Sequence, residues 1–467
     1  MLRMFGHYME RRLLFLAWAE AAILILFFYV GYFGSYADTG SITKGLIAYL
    51  PQALIFSGAA LLGMVTAGLY ERGRVLGSRA MVLRLAGAFV ATFVLVAIVS
   101  YAVPKAEIWR SGLSIAMPAA FAAILVLRLV VENSPLSRGF DRRVMVVGDA
   151  EANIKIDRIL AAEASGEIAI GKPGLTIVDR LPIDGPLLWS NDIGALRQRA
   201  ERLHCSEIVV ALDDAAAEGA ASSLPLSQLL ECRLAGVRIV DLAEFCERET
   251  GRVDLDHLRR RWLMFAGGFE TGRIDLIAKR VFDILVSLAV LVTCLPVMLL
   301  AMAAIKAEDG GPIFYSQLRV GRHGRAFPLL KFRSMRTDAE RFGARYAEEN
   351  DPRVTRVGRL LRRSRIDELP QLLNVLKGEM SFVGPRPERP VFVRELEHQL
   401  PFFKERHRVK PGISGWAQVN HAYTATIDDA RVKLEYDIYY LKNWSLFLDL
   451  LILTQTLRVV VWGSGAR

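Results

Sequence analysis

Asp367 and Glu368 are adjacent carboxylates that follow a run of arginines and precede a Pro-Arg-Pro sequence. An ionised Asp can attack phosphorus as a covalent nucleophile, and a neighbouring Glu can bind the magnesium ion that neutralises a diphosphate. Adjacent side chains on a helix point about 100° apart, so the two carboxylates suit two different roles better than one shared proton. The pair is therefore a candidate for chemistry at phosphorus.

Arginines dominate the segment immediately upstream, between Asp351 and Ile366. Three of them share one helical face through their three- and four-residue spacing, at positions 356, 359 and 363. Such a run is commonly a solvated face, and beside a membrane it can contact anionic lipid. Neither role explains the acidic pair that follows. The six arginines are Arg353, Arg356, Arg359, Arg362, Arg363 and Arg365.

Arg386 lies downstream, between Pro385 and Pro387 in the sequence GPRPE. Proline restricts the backbone, so this guanidinium is expected on a rigid segment of chain. A fixed guanidinium suits bidentate contact with a phosphate. An ordinary surface turn is the alternative.

The segment IDELPQLLNVLKG, residues 366–378, predicts the helix that positions the carboxylates. Proline is tolerated only in a first turn, so Pro370 places the helix start close to Asp367 and Glu368, and Gly378 caps its end. The helix dipole and the upstream arginines favour ionised carboxylates there. An ordinary acidic N-cap is the alternative. The predicted apolar face consists of Leu369, Leu372, Leu373 and Leu376.

The composition indicates a membrane protein of two or three domains. The chain has 467 residues, of which 52% are hydrophobic, and a formal net charge of +10, which suits anionic partners such as acidic phospholipid, nucleotide phosphates or nucleic acid. The four cysteines show no metal-binding or disulfide spacing, so a reducing, cytosol-facing location fits best. The first apolar run exceeds a typical signal core, so no cleavable signal is expected.

Four apolar runs occupy the first third of the chain, and each is long enough for a helix crossing about 30 Å of hydrocarbon. They cover roughly 13–33, 45–69, 81–103 and 113–131. The distribution of basic residues between them places both ends of this bundle, residues 1–137, in the cytoplasm. Glu20 lies in the first run, where a helix-interface or substrate-facing role and a partnered packing role are both open.

Residues 138–255 change to short β-rich runs that alternate with amphipathic stretches, such as RRVMVVGDA, IVVALDDA and GVRIVDLAEF. This alternation predicts a Rossmann-like, doubly wound α/β module. VVGDA follows a strand where a dinucleotide-binding loop would lie, but it contains only Gly148. Because a pyrophosphate needs the backbone approach that a second glycine allows, a structural or regulatory module is favoured over dinucleotide binding.

The apolar run 281–305 is long enough to cross a bilayer, which would place its flanks on opposite sides of the membrane. Basic residues lie on both flanks, so both prefer the cytoplasmic face. Pro296 lies inside the run, where it removes a backbone N–H and favours a kink. We predict a re-entrant helix that enters the membrane and returns; a transmembrane helix with a proline kink is the alternative.

Residues 275–467 are predicted to form a basic, mixed α/β catalytic domain that includes this helix. Near its end WSLFLDLLILTQTLRVVVWG is apolar but is interrupted by Asp449, Gln455 and Arg458, a composition that suits a helix lying on the membrane surface. The predicted fold class is a membrane protein, α plus α/β, with a four-helix transmembrane bundle, the α/β module and this catalytic domain.

From Lys279 to the C-terminus the chain resembles the bacterial sugar transferases, the monotopic phosphoglycosyl transferases that act on polyprenyl phosphate. The resemblance rests on KRVFD, GPIFYSQLRVGRHGRAFPLLKFRSM, DPRVTRVGRLLRRSRIDELPQLLNVLKGEMSFVGPRPE and VKPGISGWAQVN, in that order. With the bundle and the α/β module, the chain looks like the long form of this family. That form is associated with initiating exopolysaccharide or O-antigen assembly at the bacterial inner membrane, with the catalytic domain on the cytoplasmic face.

The resemblance implies a reaction and a set of partners. A nucleophilic Asp367 would take a sugar-1-phosphate from a UDP-sugar, release UMP and pass the phosphosugar to polyprenyl phosphate, while Glu368 would hold Mg²⁺. Nucleic acid is not an implied partner, and a homodimer is allowed. The sugar is not identified by any motif.

Further positions are carried over by the same resemblance. Arg362, Lys331 and Arg386 match basic positions that resemble phosphate contacts, and Pro296 matches the proline that breaks the re-entrant helix. Trp416, in KPGISGWAQV, is a candidate stacking surface near nucleotide or lipid, with a packed core aromatic as the alternative. Ser414 stands where threonine is common in the family.

Two other functions remain open. A membrane-anchored nucleotide-sugar dehydratase would need a full glycine fingerprint and a Tyr-x-x-x-Lys pair, and the spacing occurs only from Tyr101 to Lys105, with Pro104 between. A non-catalytic scaffold for polysaccharide assembly could use the arginine cluster to hold lipid.

Overall fold

The structure is a computed structural model, and it describes residues 2–4, 7–9, 11–35, 46–70, 77–102, 110–133, 142–164, 175–183, 185–190, 192–211, 225–255, 272–339, 351–421 and 426–462. The chain divides into two compact units, one made chiefly of Tyr8–Thr250 and the other chiefly of Gly251–Arg467. Two short strands, Leu2–Met4 and His7–Met9, precede the first helix.

The first unit begins with a bundle of apolar helices: Arg11–Ser35, Leu50–Thr66, Ser78–Ala102 and Arg110–Asn133. Three of them, together with Arg273–Asp309 of the second unit, are long and apolar enough to cross a membrane. The second predicted span differs, because its apolar run gives a helix of only 17 residues. Among the residues that the structure describes, four helices thus have spanning length and apolarity, but they are not the four that the sequence indicated.

Small residues bring the bundle helices into close contact. A Cβ added at Gly31 would lie 2.4 Å from the carbonyl oxygen of Gly112, and one added at Gly63 would lie 2.6 Å from that of Ala88. Helices in lipid gain most of their association energy from such close packing. The spacing of small residues therefore fixes how these helices pair.

Glu20 is a partnered packing residue rather than an open site. It is fully buried, with Oε1 2.6 Å from Nε of Arg128 and Oε2 accepting from Nη2 of Arg128 at 3.0 Å. The Tyr70 hydroxyl also donates to Glu20, and Arg128 donates to the carbonyl of Leu69 at 2.9 Å. The pair joins the first and last helices of the bundle.

A parallel four-stranded sheet forms the rest of the first unit, with the strands in the order Leu175–Leu181, Arg142–Gly148, Glu207–Ala211 and Arg238–Asp241. Helices cover both faces, because alternate side chains of the Arg142–Gly148 strand enter two separate apolar clusters. The covering helices are Ala150–Ala164, Ala195–Arg202, Leu226–Leu234 and Leu242–Thr250. The predicted α/β module is confirmed as a mixed domain with a parallel sheet.

The glycine and aspartate of VVGDA have local structural roles. A Cβ at Gly148 would lie 2.0 Å from the carbonyl oxygen of Ala211 on the neighbouring strand. The Asp149 carboxylate accepts the backbone N–H of Ala152 at 2.8 Å, which caps the following helix. A carboxylate at this helix start disfavours an anionic ligand there, so a Rossmann-type dinucleotide site gains no support.

The second unit starts with one helix, Arg273–Asp309, of 37 residues. Gly310 ends it in the left-handed conformation that favours glycine. The helix continues through Pro296 without interruption. The turn at Pro296 that a re-entrant path needs is therefore not shown and stays a prediction. Both parts of the helix pack on the rest of the second unit. The N-terminal part contacts residues 375–383, and the C-terminal part contacts residues 332–361.

The remaining elements build the body that carries the carboxylates. A hairpin pairs Phe314–Val320 with Ala326–Phe332, and Ser381–Val383 pairs in parallel with Gly412–Ser414. The helices are Arg356–Arg363, Gln371–Lys377, Pro390–Gln399, Trp416–Asn420, Ile427–Asn443 and Leu446–Trp462, with 3₁₀ turns at Arg322–Gly324, Ile366–Glu368 and Phe403–Arg408.

The C-terminal helix, Leu446–Trp462, has an unexpected polar anchor. The sequence suggested that Asp449 interrupts the apolar surface of this helix. In the structure Asp449 is fully buried. Its carboxylate accepts from Lys279 Nζ at 2.7 Å and from the Tyr440 hydroxyl at 2.8 Å. Leu450 and Leu457 remain exposed, which fits the predicted contact of this helix with a membrane surface.

Candidate active site

The two carboxylates lie in a 3₁₀ turn, Ile366–Glu368, and not in the first turn of an α-helix. The helix that follows, Gln371–Lys377, has Pro370 at its N-cap and no side-chain cap hydrogen bond. The helix therefore begins close to the carboxylates, as predicted, but the pair precedes Pro370 and lies outside the helix. Neither carboxylate caps this helix, so an ordinary acidic N-cap does not explain the pair.

The apolar face of this helix is also rotated from the predicted one. Leu372 is buried, but Leu373 is exposed, and Asn374 and Val375 occupy the inner side. The error arose because a buried asparagine was counted as polar and therefore as outward-facing. Its side chain is hydrogen-bonded, which is what a buried amide requires.

Glu368 is enclosed by positive charge. Its Oε1 accepts from Lys331 Nζ at 3.1 Å and from Arg386 Nη2 at 2.8 Å, and Arg365 Nη1 lies 3.6 Å from Oε2. Burial would raise the pKa of Glu368, but Arg386, Lys331 and Arg365 together hold it well below its usual range. Glu368 is an ionised carboxylate at neutral pH.

Asp367 is equally buried but is not paired in the same way. Its Oδ1 is shielded from solvent and has no hydrogen-bond partner among the residues that the structure describes. Burial raises the pKa of Asp367 to about 6, with Lys331 acting to lower it and Glu368 to raise it further. The expectation that the environment favours ionised carboxylates is not contradicted, because a pKa of about 6 leaves Asp367 mostly ionised at neutral pH, but the pKa values of the two neighbours are driven apart.

Arg386 is held on a segment whose backbone is hydrogen-bonded almost residue by residue. The carbonyl of Arg386 accepts from Arg406 Nη2 at 2.9 Å, and the carbonyl of Pro387 accepts from Arg319 Nη1 at 3.0 Å. On either side, Pro385 accepts from the backbone of Gly412, and Glu388 from that of Val320, both at 2.9 Å. A segment tied in this way is a rigid support and not an ordinary surface turn.

The other predicted site residues separate into near and remote ones. Lys331 lies on the hairpin strand that faces the carboxylates, and burial lowers its pKa. Arg362 lies in the last turn of the helix Arg356–Arg363, close enough to act electrostatically on Asp367. Arg356, Arg359 and Arg363 are exposed, as a solvated or lipid-contacting face would be. Pro296 is exposed within the long helix.

Trp416 is a packed core aromatic and offers no stacking surface. It is buried, its ring stacks on Tyr439 at a centroid distance of 5.9 Å, and its Nε1 donates to the carbonyl of Gly251 at 2.7 Å. The alternative considered for this residue is the one that the structure supports.

Sequence reasoning missed a buried layer behind the site. Arg406 Nη2 lies 2.8 Å from Oδ2 of Asp437, and the pair supports the Arg386 backbone. Lys279 Nζ donates to the carbonyl of Val383 at 3.2 Å, immediately before the GPRPE segment. Polar residues within helical runs, such as Asp437 and Asp449, were the available signal; Asp449 was interpreted as an interruption of an apolar surface, and Asp437 was not considered.

The donor set fits a magnesium ion. Mg²⁺ prefers carboxylate oxygens and is commonly held by one or two carboxylates together with substrate phosphates. The ionised Glu368 supplies such an oxygen in Oε2, which lies 3.6 Å from Arg365 Nη1. No group of three or more His, Cys, Asp or Glu able to hold a metal ion occurs in the described ranges.

Comparisons with known proteins fit this site. Residues 274–463 match the family model described as bacterial sugar transferase. Over 457 residues the chain is 31% identical to a UDP-glucose:undecaprenyl-phosphate glucose-1-phosphate transferase of Xanthomonas campestris pv. campestris, which covers 89% of this chain and 90% of that protein.

Shorter matches have higher identity. A UDP-N-acetylgalactosamine-undecaprenyl-phosphate N-acetylgalactosaminephosphotransferase of Aeromonas hydrophila is 46% identical over 239 residues, 51% of this chain and 56% of that protein. An undecaprenyl-phosphate glucose phosphotransferase of Komagataeibacter xylinus is 42% identical over 198 residues, 41% of this chain and 37% of that protein. The chain thus spans about half the length, or less, of these two relatives.

Proposed function

The chain belongs to the bacterial sugar transferase family, and from that premise we propose that it moves a sugar-1-phosphate from a UDP-sugar to polyprenyl phosphate through a covalent intermediate on Asp367. The relatives' names refer to undecaprenyl phosphate as acceptor and to glucose or N-acetylgalactosamine as the transferred sugar. The acceptor class is common to them, while the sugar differs. The sugar that this chain transfers is therefore left open.

One observation carries the proposal: of two adjacent buried carboxylates, one has an oxygen hydrogen-bonded to two cations and the other has an oxygen without a hydrogen-bond partner among the described residues. Glu368 is held by Lys331 and Arg386, whereas Asp367 Oδ1 accepts no hydrogen bond within the described part of the chain. A nucleophile needs a free lone pair and a surrounding that tolerates its negative charge. Asp367 meets both conditions.

The first half-reaction breaks the diphosphate. A carboxylate oxygen of Asp367 attacks the phosphorus that carries the sugar, a P–O bond forms, and the bond from that phosphorus to the bridging oxygen breaks, so UMP leaves with that oxygen. In the second half-reaction a phosphate oxygen of polyprenyl phosphate attacks the same phosphorus and the bond to Asp367 breaks. The product is a polyprenyl diphosphate sugar, and the Asp367 carboxylate is restored.

The cations have separate tasks in this scheme. Arg362 and Lys331 reduce the pKa of Asp367, which favours the ionised nucleophile. Arg386, on its rigid segment, would hold a phosphate oxygen in fixed geometry. A magnesium ion held by Glu368 would supply charge neutralisation for the diphosphate.

A location at the cytoplasmic face of the bacterial inner membrane belongs to the same proposal, since polyprenyl phosphate keeps its tail in the bilayer. Arg280, near the start of the long helix, donates to the carbonyls of Val375 and Leu376 at 2.6 and 2.7 Å. Glu308, near its end, accepts from the backbone of Arg356 at 2.8 Å. Contact of both ends with one body supports a re-entrant path, because a spanning path would separate them.

The experiment is UMP release from purified full-length protein given Mg²⁺, polyprenyl phosphate and, one at a time, UDP-glucose, UDP-galactose, UDP-N-acetylglucosamine and UDP-N-acetylgalactosamine. We expect release with at least one donor, and none after Asp367→Asn. Asp351→Asn is the matched control, because Asp351 is also buried and is paired with Arg353. No release from any donor would favour the non-catalytic scaffold.

A further inference from the structure

Asn374 is a buried amide outside the proposed catalytic set. Its side chain is fully shielded from solvent and makes three hydrogen bonds: Oδ1 accepts the backbone N–H of Leu330 at 3.0 Å, and Nδ2 donates to the carbonyl of Pro328 at 2.8 Å and to Oε2 of Glu379 at 2.7 Å. The donors and acceptors around it fix which way the amide points.

These contacts reproduce the pairing of a neighbouring strand. The strand Ala326–Phe332 has the strand Phe314–Val320 on one side. On its other side, the Asn374 side chain accepts from one residue and donates to the residue two positions earlier, as the N–H and C=O of a single residue do in a parallel ladder. Pro328 has no N–H, so it leaves no donor unpaired on this edge. The Asn374 carboxamide therefore satisfies the N–H of Leu330 and the C=O of Pro328, which a third strand would otherwise pair.

The register fixed in this way determines where Lys331 lies. Side chains two residues apart share a face of a strand, so Phe327 and Leu329 lie on the Lys331 side. Phe327 and Leu329 pack with Val375 and Met380, and Lys331 reaches Glu368 at 3.1 Å. A shift of the strand against the helix would move all three side chains together.

We propose that Asn374 is a positioning residue that holds the Lys331 strand in register with the carboxylate turn, so that Lys331 lies against Glu368 and beside Asp367. The catalytic consequence rests on the proposed function. The positional consequence does not, since it concerns only contacts within the chain.

Two variants test the proposal in the full-length protein. Asn374→Leu removes all three hydrogen bonds. Asn374→Asp keeps the acceptor for the Leu330 N–H. It replaces the donating amide with a carboxylate, which would face two other acceptors, the Pro328 carbonyl and the Glu379 carboxylate, without a hydrogen bond to either. We expect kcat for UMP release to fall by about 10- to 100-fold in both variants, the scale of a misplaced reacting group. KM for the UDP-sugar should change by less than about threefold, because uniform binding is not what is lost.

Hydrogen exchange gives a readout that is independent of activity. The amide of Leu330 should exchange faster in both variants, with protection of the Ile427–Asn443 helix unchanged. Lys331 should also become more reactive towards an acylating reagent, because its contact with Glu368 is loosened. Asn443→Leu is the control: Asn443 is similarly buried and donates to the carbonyl of Tyr439 in its own helix at 3.2 Å, so it should lower thermal stability without changing kcat or Leu330 exchange.

The outcomes separate the two proposals. Wild-type kcat and unchanged Leu330 exchange in Asn374→Leu would overturn the positioning role. A fall in kcat with unchanged Leu330 exchange would also overturn it, because the strand would not have moved. If the wild-type protein releases no UMP, the proposed function fails, while exchange at Leu330 and labelling of Lys331 still decide the position of the strand.

Discussion

Two buried acidic side chains, Glu20 in the apolar bundle and Asp367 in the second unit, lie beside arginines, yet they differ in how their oxygens are used. Arg128 forms an ion pair with Glu20, 2.6 Å from Oε1 and 3.0 Å from Oε2, and Oε2 also accepts from Tyr70, although Oε1 accepts no hydrogen bond. Asp367 Oδ1 likewise accepts no hydrogen bond in the part of the chain that is described, and Asp367 forms no ion pair with a residue in that part. Burial, positive neighbours and an oxygen without a hydrogen bond are common to both; of the two, Glu20 alone has a direct ion pair within the described residues.

We interpret this difference as one between a structural acid, Glu20, and the proposed nucleophile, Asp367. Breaking a buried ion pair at one partner leaves an uncompensated charge, so a directly paired carboxylate contributes to the cohesion of the helices it joins. A buried carboxylate without an ion pair costs stability, and we expect it to be retained where it has a function. Glu368 is intermediate, because its Oε1 is paired with two cations and it lies next to Asp367.

The largest expected effect is on turnover in Asp367→Asn. We expect UMP release to fall on the order of 10³-fold or more, the scale seen when a covalent nucleophile is removed. Thermal stability at pH 8 should be equal to or above that of the wild type, because a neutral amide is easier to bury than an ionised carboxylate. A marked loss of stability would indicate that Asp367 is a structural acid like Glu20 and would contradict the distinction drawn between them.

Arg128→Leu should produce the reverse pattern. Loss of one partner from the buried pair is expected to lower the free energy of unfolding by about 3–5 kcal/mol, with kcat of the folded fraction unchanged. Denaturation in detergent, followed by UMP release from the folded protein, measures both quantities. In the double variant Glu20→Leu, Arg128→Leu no charge remains unpaired, so most of the lost stability should return; an equally unstable double variant would contradict this account.

Glu368→Gln should have a smaller effect on turnover than Asp367→Asn. The charge that pairs with Lys331 and Arg386 is removed, and so is the proposed magnesium ligand. We expect about a 100-fold fall in kcat, in the range found for residues that support a metal site or its electrostatics. Titration with Mg²⁺ should show that the variant needs a higher concentration for half-maximal rate. An unchanged magnesium requirement would remove Glu368 as the ligand.

The pH dependence is expected to be the mildest effect. Burial raises the pKa of Asp367 to about 6, and the nucleophile must be ionised, so kcat should be full at pH 8 and should decline as the pH falls through about 6. Burial also raises the pKa of Asp437 to about 6, so Asp437→Asn is the control. The decline should persist in that variant; its disappearance would assign the acid limb to Asp437.

Sequence patterns predicted which residues come together at the candidate site better than they predicted its local backbone structure and pKa values. The acidic pair and Arg386 became candidates from residue type and spacing, Lys331 became one through the family resemblance, and the structure brings Glu368, Lys331 and Arg386 into contact. The pKa separation within the pair was not predictable, because it depends on how many cations reach each carboxylate. The 3₁₀ turn was missed for a local reason: Pro370 marks a boundary but does not say on which side the acids lie.

The fold shows the same division. Apolar length and alternation were sufficient to predict the bundle and the parallel sheet. They did not reveal that Glu20 meets Arg128, which is 108 residues away along the chain, or that Asn374 pairs with a strand 44 residues earlier. Long-range polar pairs leave no periodic signal, so only the folded chain identifies them.

The covalent intermediate is tested most directly by mass spectrometry of the full-length protein, incubated with the accepted UDP-sugar and Mg²⁺ but without polyprenyl phosphate. The account predicts one equivalent of UMP and a mass increase of one sugar phosphate, confined to the peptide that contains Asp367 and removed when polyprenyl phosphate is added. An adduct on another residue, or steady turnover by Asp367→Asn, would contradict it.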